Sequence, residues 1–236
     1  TTYENLNYFA QLSLGFRPPQ INEAYRLQKK QNVTDLDSET LTMLEFGTKY
    51  EGDFLRGSLS FYQSKKKNSI FRDAENFIVD NGKTDHKGVE MSLDLFINSR
   101  NTLSADITYG NHKYDFQTDT SMREKIRVGN KIDTAPKIMA NFIWDVFIGE
   151  DASLSFEAEH ISSYYTDAAN LHEYDGHTLY HARFNKQISN SIKYYLRIEN
   201  LTDRRYAERA DFNAFGGDRY FPGLPRELYV GLEYTF

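Results

Sequence analysis

The chain has 236 residues, a net charge of -6, no cysteine and a mean hydropathy of -0.66, yet Phe and Tyr each occur 17 times. These values rule out disulfide and thiolate chemistry and speak against a nucleic-acid binder, which would carry a basic excess. With no run of about 18 apolar residues a membrane-spanning helix is excluded, but a transmembrane barrel is not, because its strands need apolar residues only at every second position.

The apolar residues recur with a period of two from one end of the chain to the other, and no convincing 3.6-residue pattern interrupts them. In chain order the rows begin with Tyr8, Ala10, Leu12, Leu14 and Phe16, then Leu44, Phe46 and Tyr50, then Leu55, Leu59 and Phe61. Next come Val89, Met91, Leu93, Leu95 and Ile97, followed by Leu103, Ala105, Ile107 and Tyr109, and by the row from Ile138 through Phe142 and Trp144 to Ile148. Leu154, Phe156 and Ala158, then Tyr180, Ala182 and Phe184, then Ile192, Tyr194, Leu196 and Ile198 continue the pattern. It closes on Leu228, Val230, Leu232, Tyr234 and Phe236. The spacing predicts about ten strands, each near the length that a tilted membrane strand needs.

The connections alternate between short and long. Turn formers mark tight hairpins at Glu51-Gly52-Asp53, at residues 98–101, at Gly149-Glu150-Asp151 and at Ser189-Asn190-Ser191. Long polar connections are expected at residues 18–38, 73–84, 117–135, 166–176 and 203–223. In an antiparallel meander this puts every tight turn at one end and every long loop at the other, as in outer-membrane barrels. The rows facing away from the apolar ones carry Glu90, Asp94, Asp106, Asp145, Glu157, Glu159, Arg183, Arg197, Glu199 and Glu233, which suits a wet or plugged lumen. A soluble β-sandwich is the competing fold, although its loops would not segregate by length. No repeat beyond the hairpin and no linker is seen, so residues 1–236 are expected to form one unit.

Several segments resemble the TonB-dependent outer-membrane receptors. Gly15-Phe16-Arg17-Pro18-Pro19 with Glu23-Ala24-Tyr25-Arg26 resembles the family's F-R-x-P and E-L-Y segment, and Glu39, Glu45, Gly47 and Lys49 its P-E-x-x-x-x-E-x-G-x-K strand, with Ser38 where many members have Pro. Ile70-Phe71-Arg72 through Gly88-Val89-Glu90 resembles the hairpin closing on G-V-E. Asn200-Leu201-Thr202-Asp203 with Tyr206 resembles N-L-x-D-x-x-Y, and Pro222-Gly223-Leu224-Pro225-Arg226 the terminal P-G-x-P-R strand. The resemblance implies an all-β, antiparallel transmembrane barrel of 22 strands in the bacterial outer membrane. These residues would be its last ten strands, with the plug domain and the TonB-contacting segment elsewhere in the protein. Thr1 is neither a Met nor the start of a visible signal peptide, which also leads us to expect a fragment. A complete ten-stranded barrel acting as a porin, an enzyme or an adhesin is the alternative.

The implied function is TonB-coupled uptake of a scarce solute, foremost a ferric siderophore, through the TonB-ExbB-ExbD complex, with cobalamin, haem or an oligosaccharide as alternatives. Candidate ligand-binding residues in the long connections are Tyr25, Arg26, Arg72, Arg123, Arg127, Arg205, Arg219 and Tyr220, since guanidinium pairs with carboxylates and stacks on aromatic rings. Arg204, Arg209 and Phe212 lie in the same stretches, and His86 and His172 are the only loop candidates for a haem ligand. Phe236 resembles the C-terminal aromatic read by the barrel-assembly machinery. No catalytic set, cofactor motif or metal site is expected. His177 and His181 would sit about 13 Å apart on one strand face, and Glu157, Glu159, Glu199 and Glu233 read as a lumen-wall network with Arg183 and Arg197. Lys65-Lys66-Lys67 is expected where its strand leaves the outer leaflet, either as a solvated rim or against phosphates of lipopolysaccharide. Asn32-Val33-Thr34 and Asn200-Leu201-Thr202 match a glycosylation pattern by chance.

Overall fold

The computed structural model describes residues 5–25, 36–72, 75–118 and 125–235. Its strands are β1 (Leu6–Arg17), β2 (Glu39–Glu51), β3 (Leu55–Arg72), β4 (Ile78–Asn98), β5 (Asn101–Tyr114), β6 (Ile138–Ile148), β7 (Ala152–Ile161), β8 (Tyr164–Tyr165), β9 (Glu173–Tyr174), β10 (His177–Ser189), β11 (Ile192–Glu199), β12 (Ala207–Asn213), β13 (Gly217–Pro222) and β14 (Glu227–Tyr234). One short helix, α1 (Ile21–Tyr25), follows β1. Ten strands pair in the order β1-β2-β3-β4-β5-β6-β7-β10-β11-β14, while β8 with β9 and β12 with β13 form separate two-stranded ribbons. Every pairing is antiparallel, so the ten-stranded sheet is a meander.

Register joins the apolar rows across strands: Ala10 faces Phe46, Phe46 faces Phe61, Phe61 faces Val89, and Val89 faces Tyr109. A one-residue slip anywhere would turn a whole row to the other face. These rows are not covered by a second layer; Tyr8 is 77% exposed, Phe16 80% and Leu232 66%. Large apolar side chains left open on one continuous face are unsuited to water and suited to hydrocarbon, which removes the sandwich. The opposite face carries Gln11, Glu45, Ser60, Glu90, Asp106 and Asn141 and is the lumen wall.

The short connections are tight hairpins as expected. Gly52 N donates to Leu55 O at 2.8 Å, Arg100 N donates to Asn98 Oδ1 at 2.9 Å, and Gly149 takes φ +67. At the other end the expectation for residues 73–84 is corrected. β3 runs 18 residues to Arg72 and β4 21 from Ile78, so their ladder rises far beyond the roughly 9 to 11 residues that cross hydrocarbon. The Lys triplet lies within β3, beyond Phe61 of its apolar row. Lys66 turns to the lumen side, where its Nζ is 3.1 Å from Glu39 Oε1, while Lys65 and Lys67 alternate outward. Two other loops are also more regular than expected: residues 162–176 hold the β8/β9 ribbon and residues 200–226 the β12/β13 ribbon.

Candidate functional site

Two clamps at the loop end hold the strands from which the loops spring. In the first, Arg17 at the end of β1 reaches Glu39 at the start of β2, with Nε to Oε2 at 2.5 Å, and makes a two-pronged contact at 3.0 Å with Glu23 of α1. Glu39 is 3% exposed and also accepts from the Ile70 amide at 2.8 Å. It lies five residues beyond Leu44, the first of the lipid-facing row on β2. Burial alone would raise its carboxyl, but the Arg17 guanidinium, the Ile70 amide and the Lys66 ammonium together hold it down at about 2.

In the second clamp Asn200, 2% exposed, donates to the carbonyls of Arg204 (2.9 Å) and Leu224 (3.2 Å) and accepts from Arg204 N (2.8 Å). Asp203 Oδ1 accepts from Arg226 N at 3.0 Å. Tyr206 lies so close to Gly223 that a Cβ there would stand 2.0 Å from the ring. The two terminal motifs are thus one interlocked joint between β11 and β14, and the Asn200 amide is engaged there and not displayed for glycosylation.

Above these clamps the loops pack on one another. Tyr114, Ile126 and Ala168 form a small buried cluster with Phe71, Phe116 and Ile132 against it. Asn170 stitches two loops, accepting from Lys131 N at 2.6 Å and donating to Lys131 O at 2.8 Å. The β12/β13 ribbon docks through Phe212 N to Thr166 O (3.0 Å), Ala210 N to Tyr164 Oη (2.9 Å) and the His172 ring stacked on Phe212 at 3.8 Å.

Between the β3/β4 tip, these loops and the ribbon lies a cavity of about 240 Å³ lined by Phe71, Arg72, Asp133, Arg209, Asp211, Phe212 and Arg219 among others. Asp211, 6% exposed, takes Arg219 Nε at 2.6 Å and Arg209 Nη2 at 2.7 Å. Asp133 accepts from the Tyr114 hydroxyl at 2.6 Å. Burial pushes its carboxyl up against that hydrogen bond, with Asp167 and Asp211 adding repulsion. Three guanidinium groups thus meet two carboxylates, one held between two arginines and the other bonded by the Tyr114 hydroxyl. With three guanidinium groups to two carboxylates, that arrangement can accept an anion.

Of the residues singled out in the sequence, Arg72 and Arg219 come together in this cavity. Arg72 Nη1 donates to Asn76 O at 3.0 Å. Tyr220 follows on β13, 56% exposed, with its ring 6.3 Å from Tyr174. Tyr25 ends α1 at 81% exposure, apart from the cavity. Arg127 donates to Ile126 O, and Arg205 is exposed between β11 and β12. Arg26, Arg123 and Phe236 lie outside the described residues. Sequence reasoning missed Asp133 and Asp211. Only the Arg209-Ala210-Asp211 spacing, which puts two charges on one strand face, signalled the second.

His172, His177 and His181 each meet a different partner: His172 Nδ1 is 3.1 Å from Asp218, His177 Nδ1 is 2.9 Å from the Tyr174 hydroxyl, and His181 Nδ1 is 2.6 Å from Glu199. Among the described residues no group of three His, Asp or Glu is arranged to hold a metal ion. The lumen-wall network is smaller than expected. Arg197 pairs with Glu199, Glu159 stands 3.9 Å from His181, and Glu157 accepts from Asn141 at 3.1 Å. Among the described residues no ion pair links these groups to Arg183.

The structure is similar to the ferric-catecholate import receptor Fiu from E. coli K12 in its closed form (TM-score 0.78, 18% identity, 100% of this chain and 34% of that one). It is similar to the siderophore receptor PiuA from Acinetobacter baumannii (0.79, 18%, 98% and 34%) and to the copper transporter OprC (0.77, 18%, 98% and 37%). The chain spans about a third of the length of these proteins. No curated protein matches its sequence. The model of the TonB dependent receptor-like β-barrel matches residues 1–201, and the chain belongs to that family of outer-membrane barrels.

Proposed function

We propose that residues 1–236 are the C-terminal portion of the barrel of a receptor that imports a ferric siderophore across the outer membrane, energised by TonB-ExbB-ExbD acting on a plug domain elsewhere in the protein. The observation that carries this reading is the cavity at the loop end, where Arg72, Arg209 and Arg219 converge beside Phe71 and Phe212. Guanidinium groups beside aromatic rings suit an anionic, partly aromatic iron chelate. Tyr25, Arg26, Arg123, Arg127, Arg205 and Tyr220 are proposed as further loop contacts, and Phe236 as the signal read by the barrel-assembly machinery. The role is transport without catalysis. Solved structures of this fold include a siderophore receptor and a copper transporter, so the fold leaves the ligand open and the site must supply it.

The test is uptake of radioactive iron by iron-starved cells that express the full-length receptor, with ferric siderophores of catecholate, hydroxamate and citrate type. At least one chelate should be taken up, and Arg72→Ala with Arg219→Ala should reduce that uptake by roughly tenfold or more, as expected for losing charged hydrogen bonds. Expression induced by vitamin or polysaccharide limitation, with no response to iron, would overturn the siderophore reading in favour of cobalamin, haem or an oligosaccharide.

A further inference from the structure

His86 on β4 and His112 on β5 stand directly opposite each other in the ladder, in one row with Ser64 of β3. They lie three residues above Val89 and Tyr109, about 10 Å past that apolar row at about 3.3 Å per residue, and the odd spacing turns them to the lumen. The next pair up on the same face is Thr84 with Tyr114, and Tyr114 belongs to the buried cluster beneath the loops. Here the imidazoles converge: Nδ1 of His86 is 2.9 Å from Nδ1 of His112, with ring centroids 5.1 Å apart and planes at 53°. Two N–H groups cannot share so short a gap, so at least one lone pair faces the other ring. His86 Nε2 is 2.8 Å from Thr84 Oγ1, and donating that N–H to the hydroxyl leaves the lone pair on Nδ1. Gly110 lies under the His112 ring, where a Cβ would overlap Nε2, so a bare position admits this orientation. The ammonium groups whose charge reaches the pair, Lys66 and Lys131, are drawn off to Glu39 and Asn111.

A shared proton is one use of such a gap, and a metal ion is another. Two imidazole nitrogens bound at roughly 2.0 to 2.1 Å and at right angles stand roughly 2.9 Å apart, whereas tetrahedral ligands stand roughly 3.3 Å apart. We propose that His86 and His112 are two cis ligands for a divalent transition ion of tetragonal preference, copper(II) foremost, with water in the remaining positions. The ion takes the place of the shared proton. His112 then carries that proton on Nε2, both rings stay neutral, and each turns so that the two Nδ1 lone pairs meet at the ion. Thr84 orients the first ring and Gly110 makes room for the second, the roles that outer groups play around metal-bound imidazoles. With two protein ligands and open positions the ion is exchangeable, which suits a stopping point in the lumen wall and not a structural clip. The arginine cavity at the loop end shares no residue with this site.

The experiment uses the full-length receptor in detergent, stripped with a chelator and titrated at neutral pH with copper(II), nickel(II) and zinc(II) chloride. Electron paramagnetic resonance of the copper-loaded wild type should show a tetragonal signal split by two imidazole nitrogens. Affinity should fall in the order copper, nickel, zinc, the last being denied its tetrahedral geometry. His86→Gln and His112→Gln should each weaken copper binding by more than about 100-fold, beyond the cost of losing an orienting group, and Thr84→Val by roughly tenfold. His160→Gln, which removes an imidazole bonded to Thr178 elsewhere in the barrel wall, should bind copper as wild type does. A wild-type spectrum without paired imidazole nitrogens, or copper held equally by wild type and both Gln variants, would overturn the proposal. So would zinc displacing copper. Heat-modifiability on gels reports which variants fold, and the wild-type spectrum decides alone where the His variants do not.

Discussion

Replacing Glu39 by Gln removes the charge on which Arg17, Lys66 and α1 converge while keeping an oxygen for the Ile70 amide. The Glu39 carboxyl falls from 4.5 to about 2 in the folded chain. At about 1.4 kcal/mol per unit this corresponds to about 3 kcal/mol of local stability, the low end of what removing one partner of a buried pair costs. Because the folded value is depressed, that stability is fully present above 4.5 and is lost as pH falls through about 2. Ile70 is the natural reporter, since its N–H points at the carboxylate. In the full-length receptor in detergent, Glu39→Gln should speed hydrogen exchange at Ile70 roughly 100-fold at neutral pH, after correction for intrinsic rates. Wild type should approach the variant between pH 5 and 2, while the variant stays flat. An Ile70 amide that exchanges at the same rate in both proteins, or a pH response shared by both, would refute the clamp.

Asn200→Ala strips three hydrogen bonds from a buried position and should cost about 2 to 3 kcal/mol. Heat-modifiability on gels checks this, and an unchanged melting point counts against the joint. Gly223→Ala should act in the same assay, because the new methyl has nowhere to go but into Tyr206. Asp211→Asn releases Arg209 and Arg219 and should strengthen binding of an anionic chelate, measured by isothermal titration; weaker binding would mean that Asp211 only shapes the cavity. Single cysteines at Gly216 and Gly149 of the full-length receptor should react on intact cells with a membrane-impermeant maleimide in the first case and not in the second, against a parent control, residues 1–236 themselves holding no other cysteine. The reverse labelling would invert the topology.

The parts of the fold that were legible are those that lipid constrains. Val89, Met91, Leu93 and Leu95 announce a strand because hydrocarbon accepts only apolar side chains at every second position. Above the membrane both faces of a strand meet water, the alternation loses its cause, and the upper halves of β3 and β4 read as loop although their ladder continues from Lys65 and Asp85 to Arg72 and Ile78. Backbone pairing left no trace in the side chains there.

The site divides by the same logic. Arg72 and Arg219 could be noticed singly, since a guanidinium in a polar loop is conspicuous wherever it falls. Their meeting could not, because it depends on Phe212 N finding Thr166 O and on Tyr164 receiving Ala210, contacts 46 residues apart. Asp133 and Asp211 were invisible for that reason: an aspartate in a loop usually serves a turn, and only its neighbours in space make it part of a charged cavity. The motif positions behave differently. Arg17 with Glu39, and Asn200 with Gly223, were legible as patterns before any contact was known, and each resolves into a joint between strand ends. What the family pattern marks here is the frame at the mouth of the barrel. The ligand-facing chemistry hangs from that frame on loops whose partners only the folded chain supplies.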